Sequence, residues 1–214
     1  MRRAALTLSL AVGLLSLAGC ASGEKPADEP GKKKYISTFK DDLSSNRDTG
    51  KELEAEDEAR FVAPDGSERQ ISSWRGKPLV IVFTRGFAGY VCPFCTAYTA
   101  QIAERYQEIQ ALGAEVLLVY PATADDKETK ARFEQAVREL LAEEGEEGLP
   151  FPVFLDPGLQ AVSKFNLQGD LSKPSTFVLD RKGVVTYAYV GAGPDERPSV
   201  ERIIKELTAL NAAQ

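Results

Sequence analysis

Histidine is absent from this chain of 214 residues, and cysteine occurs only three times, as Cys20, Cys92 and Cys95. A zinc site takes about four ligands, which structural sites draw mainly from cysteine and histidine. The sequence therefore argues against a zinc site, and we predict neither a metal nor another cofactor. Without histidine, a proton released at a cysteine must pass to solvent or to a glutamate.

Positive charge is in the minority, with 26 Lys and Arg residues against 32 Asp and Glu residues and a formal net charge of −6. Loss of Arg2 and Arg3 with a leader would leave 24 basic residues against 32 acidic ones, a net charge of −8. An acidic surface argues against nucleic acid as a partner, and against attachment to an anionic membrane by charge.

The apolar run at the start, Ala4–Leu17, is too short for a comfortable bilayer span, which needs about 20 residues. It follows a basic pair and ends in Leu17-Ala18-Gly19-Cys20, the arrangement of an export signal. This tetrapeptide resembles the lipobox of bacterial lipoproteins. The resemblance implies a signal peptide over residues 1–19, a lipid anchor on Cys20, and a bacterial envelope location facing the periplasm. Because Ala21-Ser22 follows in place of an acidic residue, the outer membrane is favoured in a Gram-negative cell.

Residues 20–57 contain few apolar side chains and many Glu, Lys, Pro, Asp, Ser and Gly residues. Such a segment cannot bury enough apolar surface to fold alone, so we predict a lipidated Cys20 followed by a flexible tether. The remaining residues, 58–214, have the length of one domain. Lipidation of Cys20 would leave Cys92 and Cys95 as the only thiols, which allows no second disulfide.

Cys92-Pro93-Phe94-Cys95 carries the clearest chemical signal in the chain. It follows the apolar run Leu79–Phe83, typical of a buried strand, and opens a stretch with helical spacing over residues 94–112. A CxxC at such a junction indicates dithiol redox chemistry. We predict that Cys92 is the partly exposed nucleophile, with its thiolate stabilised by the helix N-terminus. Cys95 is then the deeper resolving thiol, and Pro93 fixes the helix start, where its missing N–H costs little.

The apolar patterns along the domain predict alternating strands and helices. The expected strands cover residues 58–62, 68–71, 79–84, 115–120, 152–155, 175–179 and 184–190, and the expected helices cover residues 94–112, 126–143, a short stretch after residue 158, and 200–210. The last two strands are joined by a turn and read as a hairpin. This order predicts an α/β fold with a central mixed β-sheet flanked by helices on both faces.

The order of elements, with CxxC after a strand, resembles the thioredoxin fold over residues 58–210. Four segments are similar to the redoxin (AhpC/TSA) superfamily, in the right order along the chain. They are Phe61–Gly66, Arg85-Gly86 leading to the CPFC motif, Phe154–Pro157 and Pro174–Asp180. The second resembles the RGxWCPYC signature of peroxiredoxin-like proteins with a longer spacer. The resemblance implies that Pro174 is a cis-proline that presents backbone groups beside Cys92 to an extended substrate.

Two branches of this superfamily compete. Peroxiredoxins carry a Thr three residues before the reactive cysteine, a Pro four residues before that Thr, and an Arg before the late strand. Here Gly89, Arg85 and Pro174 stand at those positions. The groups that polarise a peroxide O–O bond are therefore absent or relocated, although the Arg85 cation could stabilise a thiolate in their place. Thioredoxin-like disulfide reductases of the TlpA type need a CxxC and a cis-proline, which this chain supplies. They often have a buried carboxylate behind the cysteines as well, and the strand Leu79–Phe83 offers none.

We therefore expect an envelope thiol–disulfide oxidoreductase that exchanges disulfides with protein or small thiol partners and draws on an external electron donor. Reaction with a peptide disulfide is expected to be faster than with peroxide. The first alternative is a peroxiredoxin-like enzyme in which Cys92 becomes a sulfenic acid and Cys95 condenses with it. The second is a non-catalytic envelope protein that uses the redoxin fold as a binding surface.

Overall fold

The structure, a computed structural model, describes residues 38–39, 41, 59–86, 89–122, 126–145 and 148–213. The predicted signal peptide, Cys20 and most of the predicted tether lie outside these residues. Within the described ranges, no helix is long and apolar enough to cross a membrane.

A seven-stranded mixed sheet forms the centre of the domain, with the spatial strand order β3-β2-β6-β5-β4-β7-β8. A separate two-stranded sheet pairs β1 with β9. The strands are β1 (Thr38–Phe39), β2 (Arg60–Val62), β3 (Glu68–Gln70), β4 (Leu79–Phe83), β5 (Glu115–Ala122), β6 (Val153–Pro157), β7 (Ser175–Leu179), β8 (Val185–Val190) and β9 (Glu196–Arg197). Strand β4 runs parallel to β5 and antiparallel to β7, which confirms the predicted mixed sheet and places β4 in its interior, paired on both sides.

Five α-helices and one 3-10 helix accompany these strands in the described residues. They are the 3-10 helix Ile71–Trp74, α1 (Pro93–Glu104), α2 (Tyr106–Ala111), α3 (Lys127–Glu143), α4 (Gln160–Lys164) and α5 (Val200–Ala212). Alternate residues of β4 face opposite sides of the sheet, as expected for a strand buried on both faces. Val80 and Val82 pack in a core with α1, α2, α3 and α5. Leu79, Ile81 and Phe83 pack in a second core with α4 and the 3-10 helix.

The helix predicted over residues 94–112 is divided in the structure into α1 and α2. Arg105, between them, has φ −108° and ψ 14°, outside the helical range. Its guanidinium lies 2.7 Å from Glu108 of α2 and 2.9 Å from Glu201 of α5. These contacts tie α2 to the C-terminal helix, an interaction that the helical periodicity of the segment could not indicate.

The predicted hairpin near the C-terminus is confirmed. Strands β7 and β8 are antiparallel, with Ser175 opposite Val190 and Thr176 opposite Tyr189. Strand β7 also pairs with β4 so that Ser175 lies opposite Phe83. This register carries the residue before β7, Pro174, to the edge of the sheet at which β4 ends.

The prediction of a flexible tether over residues 20–57 is wrong for its described part. Thr38 and Phe39 form β1, which pairs in parallel with β9 in the register Thr38 to Glu196 and Phe39 to Arg197. Asp41 accepts hydrogen bonds from the Ser199 backbone N–H at 2.7 Å and from the Ser199 hydroxyl at 2.6 Å. The composition of this segment cannot form a core by itself, but it can add backbone and carboxylate contacts to a core formed elsewhere.

Candidate active site

The loop that follows β4 is fixed to the sheet by backbone and hydroxyl hydrogen bonds. The Thr84 N–H donates to the Val119 carbonyl at 3.0 Å, which extends the pairing of β4 with β5 by one residue. The buried Ser172 hydroxyl donates to the Thr84 carbonyl at 2.8 Å and accepts from the Gly86 N–H at 3.2 Å. Ser172 therefore joins the segment before β7 to the end of β4, the two sides of the site.

The segment that precedes α1 is anchored to the N-terminus of α3 and to β5. The Gly89 N–H donates to Asp126 at 3.0 Å and to Thr129 at 2.9 Å, at the N-terminus of α3. The Tyr120 hydroxyl donates to the Tyr90 carbonyl. These contacts deliver the chain to Cys92 in a defined position, so that the first cysteine lies where the unpaired N–H groups of α1 converge.

Cys92 is the N-cap residue of α1, with extended backbone at φ −79° and ψ 117°, and Pro93 is the first helical residue. The predicted role of Pro93 at the helix start agrees with this position. Cys95 lies one turn into the helix. Both thiols are free and buried, Cys92 at 1% exposure and Cys95 at 2%. The expectation of a partly exposed Cys92 is therefore wrong, because both cysteines belong to the buried core that also contains Tyr98 and Val82.

Two donors converge on the Cys95 sulfur. The Arg85 backbone N–H lies 3.0 Å from Sγ, and Nη2 of Arg197 also lies 3.0 Å from it. Arg85 thus contributes its backbone N–H, whereas sequence reasoning expected its side-chain cation to act. The cation at the dithiol belongs to Arg197, which comes from the short strand β9 near the opposite end of the chain.

Arg197 is a buried charge, with only 2% of the residue exposed. Its Nη1 donates to the Pro194 carbonyl at 3.0 Å, and its guanidinium lies 5.5 Å from the centre of the Tyr98 ring. Among the described residues, no carboxylate forms an ion pair with it. A buried guanidinium without an anion is costly, so the sulfur atoms of the dithiol are its available negative partners.

The pKa values of the two cysteines are shifted in opposite directions. A hydrogen bond from the Cys95 side chain, together with the N–H groups of the first turn and the Arg197 charge, lowers the pKa of Cys92 to about 6 from its ordinary value of 9.0. Burial, reinforced by that same hydrogen bond, raises the pKa of Cys95 well above its ordinary value. Near neutral pH the pair therefore holds one negative charge, on Cys92, and one thiol proton, on Cys95.

Sequence reasoning missed Arg197 altogether. Residues 191–199 are rich in glycine and proline, a composition typical of a solvated loop. Strand β9 has only two residues, too few for an alternating pattern to be visible. No signal in the sequence distinguished this arginine from the other basic residues.

Pro174 is buried and directly precedes β7, at the edge of the sheet where β4 ends. Its carbonyl accepts a hydrogen bond from the Gly191 N–H at 2.8 Å. A cis bond at Pro174 and its contact with a substrate stay predictions. Gly89 directs its N–H to α3, so it does not replace the missing threonine of a peroxiredoxin. In the described part of the chain, no group of three or more His, Cys, Asp or Glu residues is arranged to hold a metal ion.

Comparison with known proteins places this site in a family. The sequence profile of the AhpC/TSA family matches residues 51–188. A chloroplastic peroxiredoxin Q of Triticum aestivum is 30% identical over 129 residues, covering 58% of this chain and 52% of that protein. One of Populus jackii is 27% identical over 150 residues, covering 68% of this chain and 62% of that protein. The chain thus spans between about half and two thirds of the length of these curated relatives.

Two solved structures share the fold. The reduced 2-Cys peroxiredoxin of Plasmodium vivax superposes with a TM-score of 0.55 at 17% identity, covering 73% of this chain and 92% of that one. AhpC of Mycobacterium bovis gives a TM-score of 0.59, also at 17% identity, covering 78% of this chain and 93% of that one. These likenesses confirm the predicted thioredoxin-like fold.

Proposed function

Because the chain belongs to the AhpC/TSA family, we propose that it is a thiol peroxidase that reduces small hydroperoxides through Cys92, with Cys95 as the resolving thiol. The observation that carries this proposal is the buried guanidinium of Arg197, 3.0 Å from the Cys95 sulfur, in a dithiol site that is closed to solvent. The names of the curated relatives, which are peroxiredoxins, support the same activity.

The burial of Cys92 favours a small oxidant. Attack on a protein disulfide requires two substrate sulfur atoms to approach Cys92 in line, and the surrounding polypeptide must fit against the site. Cys92 is only 1% exposed, so such an approach requires the first turn of α1 or its surroundings to open. A hydroperoxide needs access for two oxygen atoms. On this argument we propose that the reaction with peroxide is the faster one, the opposite of the expectation from the sequence.

The arrangement supports a balanced pair of steps. The Cys92 thiolate attacks the terminal oxygen of ROOH, and the O–O bond breaks to give a Cys92 sulfenic acid. The Cys95 thiol donates its proton to the leaving alkoxide and so becomes a thiolate beside Arg197. That thiolate attacks the Cys92 sulfur, forms the Cys92–Cys95 disulfide and releases hydroxide. The Cys95 proton thus passes to the leaving alkoxide, so the site needs neither a histidine nor a nearby carboxylate to accept it.

Disulfide exchange is the second half of the proposed catalytic cycle, in which the dithiol is regenerated. The Cys92–Cys95 disulfide returns to the dithiol when an external thiol attacks one of its sulfur atoms and a second thiol releases the mixed disulfide. The partner is therefore a dithiol protein or two small thiols, which supply two electrons and two protons for each hydroperoxide. The CxxC spacing at a helix N-terminus supports this exchange.

We also propose that the protein acts in the bacterial cell envelope, held by a lipid on Cys20 and facing the periplasm, and in the outer membrane if the cell is Gram-negative. The support is the sequence Leu17-Ala18-Gly19-Cys20 after a basic pair and a short apolar run. In that compartment peroxide and external thiol donors would meet the domain directly.

The test is a pair of stopped-flow measurements on the reduced full chain carrying Cys20→Ser, so that Cys92 and Cys95 are the only thiols. One mixes the protein with hydrogen peroxide, the other with a peptide disulfide, and both follow loss of the Cys92 thiolate. We expect the second-order constant for peroxide to be larger by roughly tenfold or more. A larger constant for the disulfide would instead assign the protein as a disulfide reductase, and no reaction with either would favour a binding protein.

A further inference from the structure

Strand β1 contacts the domain at the residue that supplies the cation of the site. In the parallel pairing of β1 with β9, Phe39 lies in register with Arg197. Phe39 is 40% exposed, and its contact with Arg197 is a backbone pairing between strands. We call Thr38, Phe39 and Asp41 the docking segment.

Asp41 holds the chain immediately after β9. Its two carboxylate oxygens accept from the N–H and the hydroxyl of Ser199, at 2.7 and 2.6 Å. Ser199 is the N-cap of α5, and its hydroxyl also accepts from the Arg202 N–H at 3.0 Å. The Arg202 guanidinium in turn donates to the Asp41 carbonyl. The docking segment therefore binds Arg197 through its backbone and fixes the residue two positions later through Asp41.

These contacts bear on the dithiol because a charge-assisted hydrogen bond depends strongly on distance and direction. The Arg197 side chain is buried, with Nη1 on the Pro194 carbonyl and Nη2 on Cys95, so displacement of β9 moves Nη2 relative to the sulfur. Both Arg197 and the docking segment lie outside residues 51–188, the part matched by the family profile. The coupling is thus a feature of this chain beyond the matched region.

We propose that the docking segment is part of the redox centre, where it holds the Arg197 guanidinium against the Cys95 sulfur, and that its binding is linked to the redox state of the pair. The reduced pair carries a negative charge that compensates the buried cation, whereas the disulfide carries none. Coupling between two sites is reciprocal. Oxidation therefore weakens the binding of the docking segment to the domain, and loss of that binding makes the Cys92 thiolate less stable. The inference uses the dithiol of the proposed function, but its tests read the thiolate and the backbone directly.

The first test replaces Asp41 by alanine in the full chain carrying Cys20→Ser and follows thiolate absorbance against pH. The groups that act on Cys92 electrostatically are Cys95, Arg197 and the phenols of Tyr90 and Tyr120. The substitution can act in two ways. If Asp41 acted only through its charge, its removal would lower the pKa of Cys92, because a nearby anion disfavours a thiolate. If its removal displaces Arg197, the pKa of Cys92 rises. We expect a rise of roughly one unit, and an unchanged or lowered pKa would overturn the proposal.

Asp65→Ala is the matched control. Asp65 accepts from the N–H and the hydroxyl of Ser67 at 2.9 and 2.7 Å, the same pair of donors that Asp41 binds, but on an exposed turn between β2 and β3. We expect no change in the pKa of Cys92 in this variant. In an Arg197→Gln background, Asp41→Ala should add no further shift. An equal shift with and without Arg197 would show that the segment acts by another route.

The second test needs no substitution at Asp41 and covers the case in which that variant fails to fold. Hydrogen exchange of the Ser199 amide, which donates to Asp41, is measured in the same chain with the dithiol reduced and with the disulfide formed. We expect exchange in the oxidised form to be faster by roughly tenfold, while the Val184 amide, which donates to Asp180 in a distant turn, exchanges equally in both. Equal protection of Ser199 in the two states would refute the linkage.

Discussion

The guanidinium of Arg197 lies 3.0 Å from the sulfur of Cys95, although 102 residues separate the two along the chain. This contact joins the CxxC motif to the segment before the last helix. Because Arg197 is buried and forms no ion pair with a described carboxylate, its charge acts on the dithiol with little screening by water.

Replacing Arg197 by glutamine should slow reaction with peroxide. The variant keeps a polar side chain of similar length but removes the charge that stabilises both the Cys92 thiolate and the Cys95 thiolate formed during turnover. Removal of one preorganised donor typically costs on the order of 10²-fold in rate. Stopped-flow loss of the thiolate measures the effect. Arg60→Gln, which breaks only an exposed ion pair with Glu68, is the control and should leave the rate unchanged. Equal rates for Arg197→Gln and the parent would remove Arg197 from the mechanism.

The two cysteines should give different products when replaced. Cys92→Ser should abolish reaction with peroxide, because the Cys95 thiol is protonated in the pair and its pKa is raised by burial. Cys95→Ser should still react once and stop at a Cys92 sulfenic acid, since no resolving thiol remains. Mass spectrometry after trapping with a dimedone-type reagent distinguishes the two. If the sulfenic acid adduct formed only in Cys92→Ser, Cys95 would be the nucleophile and Cys92 the resolving thiol.

The rate of peroxide reduction should depend on pH through Cys92. Its pKa is lowered to about 6, chiefly by the hydrogen bond from Cys95, so the rate should rise with pH around that value and be nearly constant at neutral pH. The pKa of Cys92 in the folded protein lies below its ordinary value of 9.0, so ionisation of Cys92 stabilises the folded state. This contribution to the free energy of unfolding is fully present above pH 9 and is lost as pH falls through about 6. Chemical unfolding of reduced and oxidised protein across this window should show the loss in the reduced form alone. A rate midpoint near 9 would contradict a stabilised thiolate.

Gly191 should tolerate no side chain. A Cβ there would lie 2.6 Å from the Glu196 carbonyl oxygen and 3.2 Å from the Pro174 carbonyl oxygen, both backbone atoms. Gly191→Ala should therefore destabilise the protein by roughly 1–3 kcal/mol and raise the pKa of Cys92 by displacing β9. At the control Gly193, a Cβ meets only the side chains of Asp195 and Glu196, which can move. Thermal unfolding and thiolate titration of both alanine variants test this; equal effects at the two glycines would count against it.

Cys20→Ser should abolish membrane association. If the sequence before Cys20 is an export signal with a lipobox, the parent protein should partition into the detergent phase of a bacterial extract and incorporate labelled fatty acid. The serine variant should do neither. Equal partitioning of both proteins into the aqueous phase would end the proposal of a lipid anchor.

The central sheet could be predicted from sequence because its signals are local. Leu79–Phe83 is apolar throughout since both faces of β4 are covered, and the hairpin β7–β8 is marked by its turn. Cys92 and Cys95 were found because their spacing is itself the signal. The resemblance to the redoxin superfamily singled out Pro174, and the pairing of β7 with β4 in the structure places it at the end of β4.

The rest depended on contacts between distant segments. The burial of Cys92 results from packing around the first turn of α1, which periodicity does not report. Arg197 and Asp41 each act through two side-chain hydrogen bonds and lie in short or irregular segments, so neither leaves a repeating pattern in the sequence. The prediction of a tether through residue 57 failed at residues 38, 39 and 41 for the same reason. A segment that cannot fold alone can still bind to the surface of a domain that is already folded.

The position of β9 beyond residue 188 has a practical consequence for work on this protein. A fragment cut at the boundaries of the family match would keep both cysteines, the helix that carries them and the central strands. It would lack the only guanidinium in hydrogen-bond contact with a described thiol, as well as the C-terminal helix that covers one face of the sheet. Peroxide assays on such a fragment would measure an ordinary thiol pair, and a low rate there would say nothing about the intact chain.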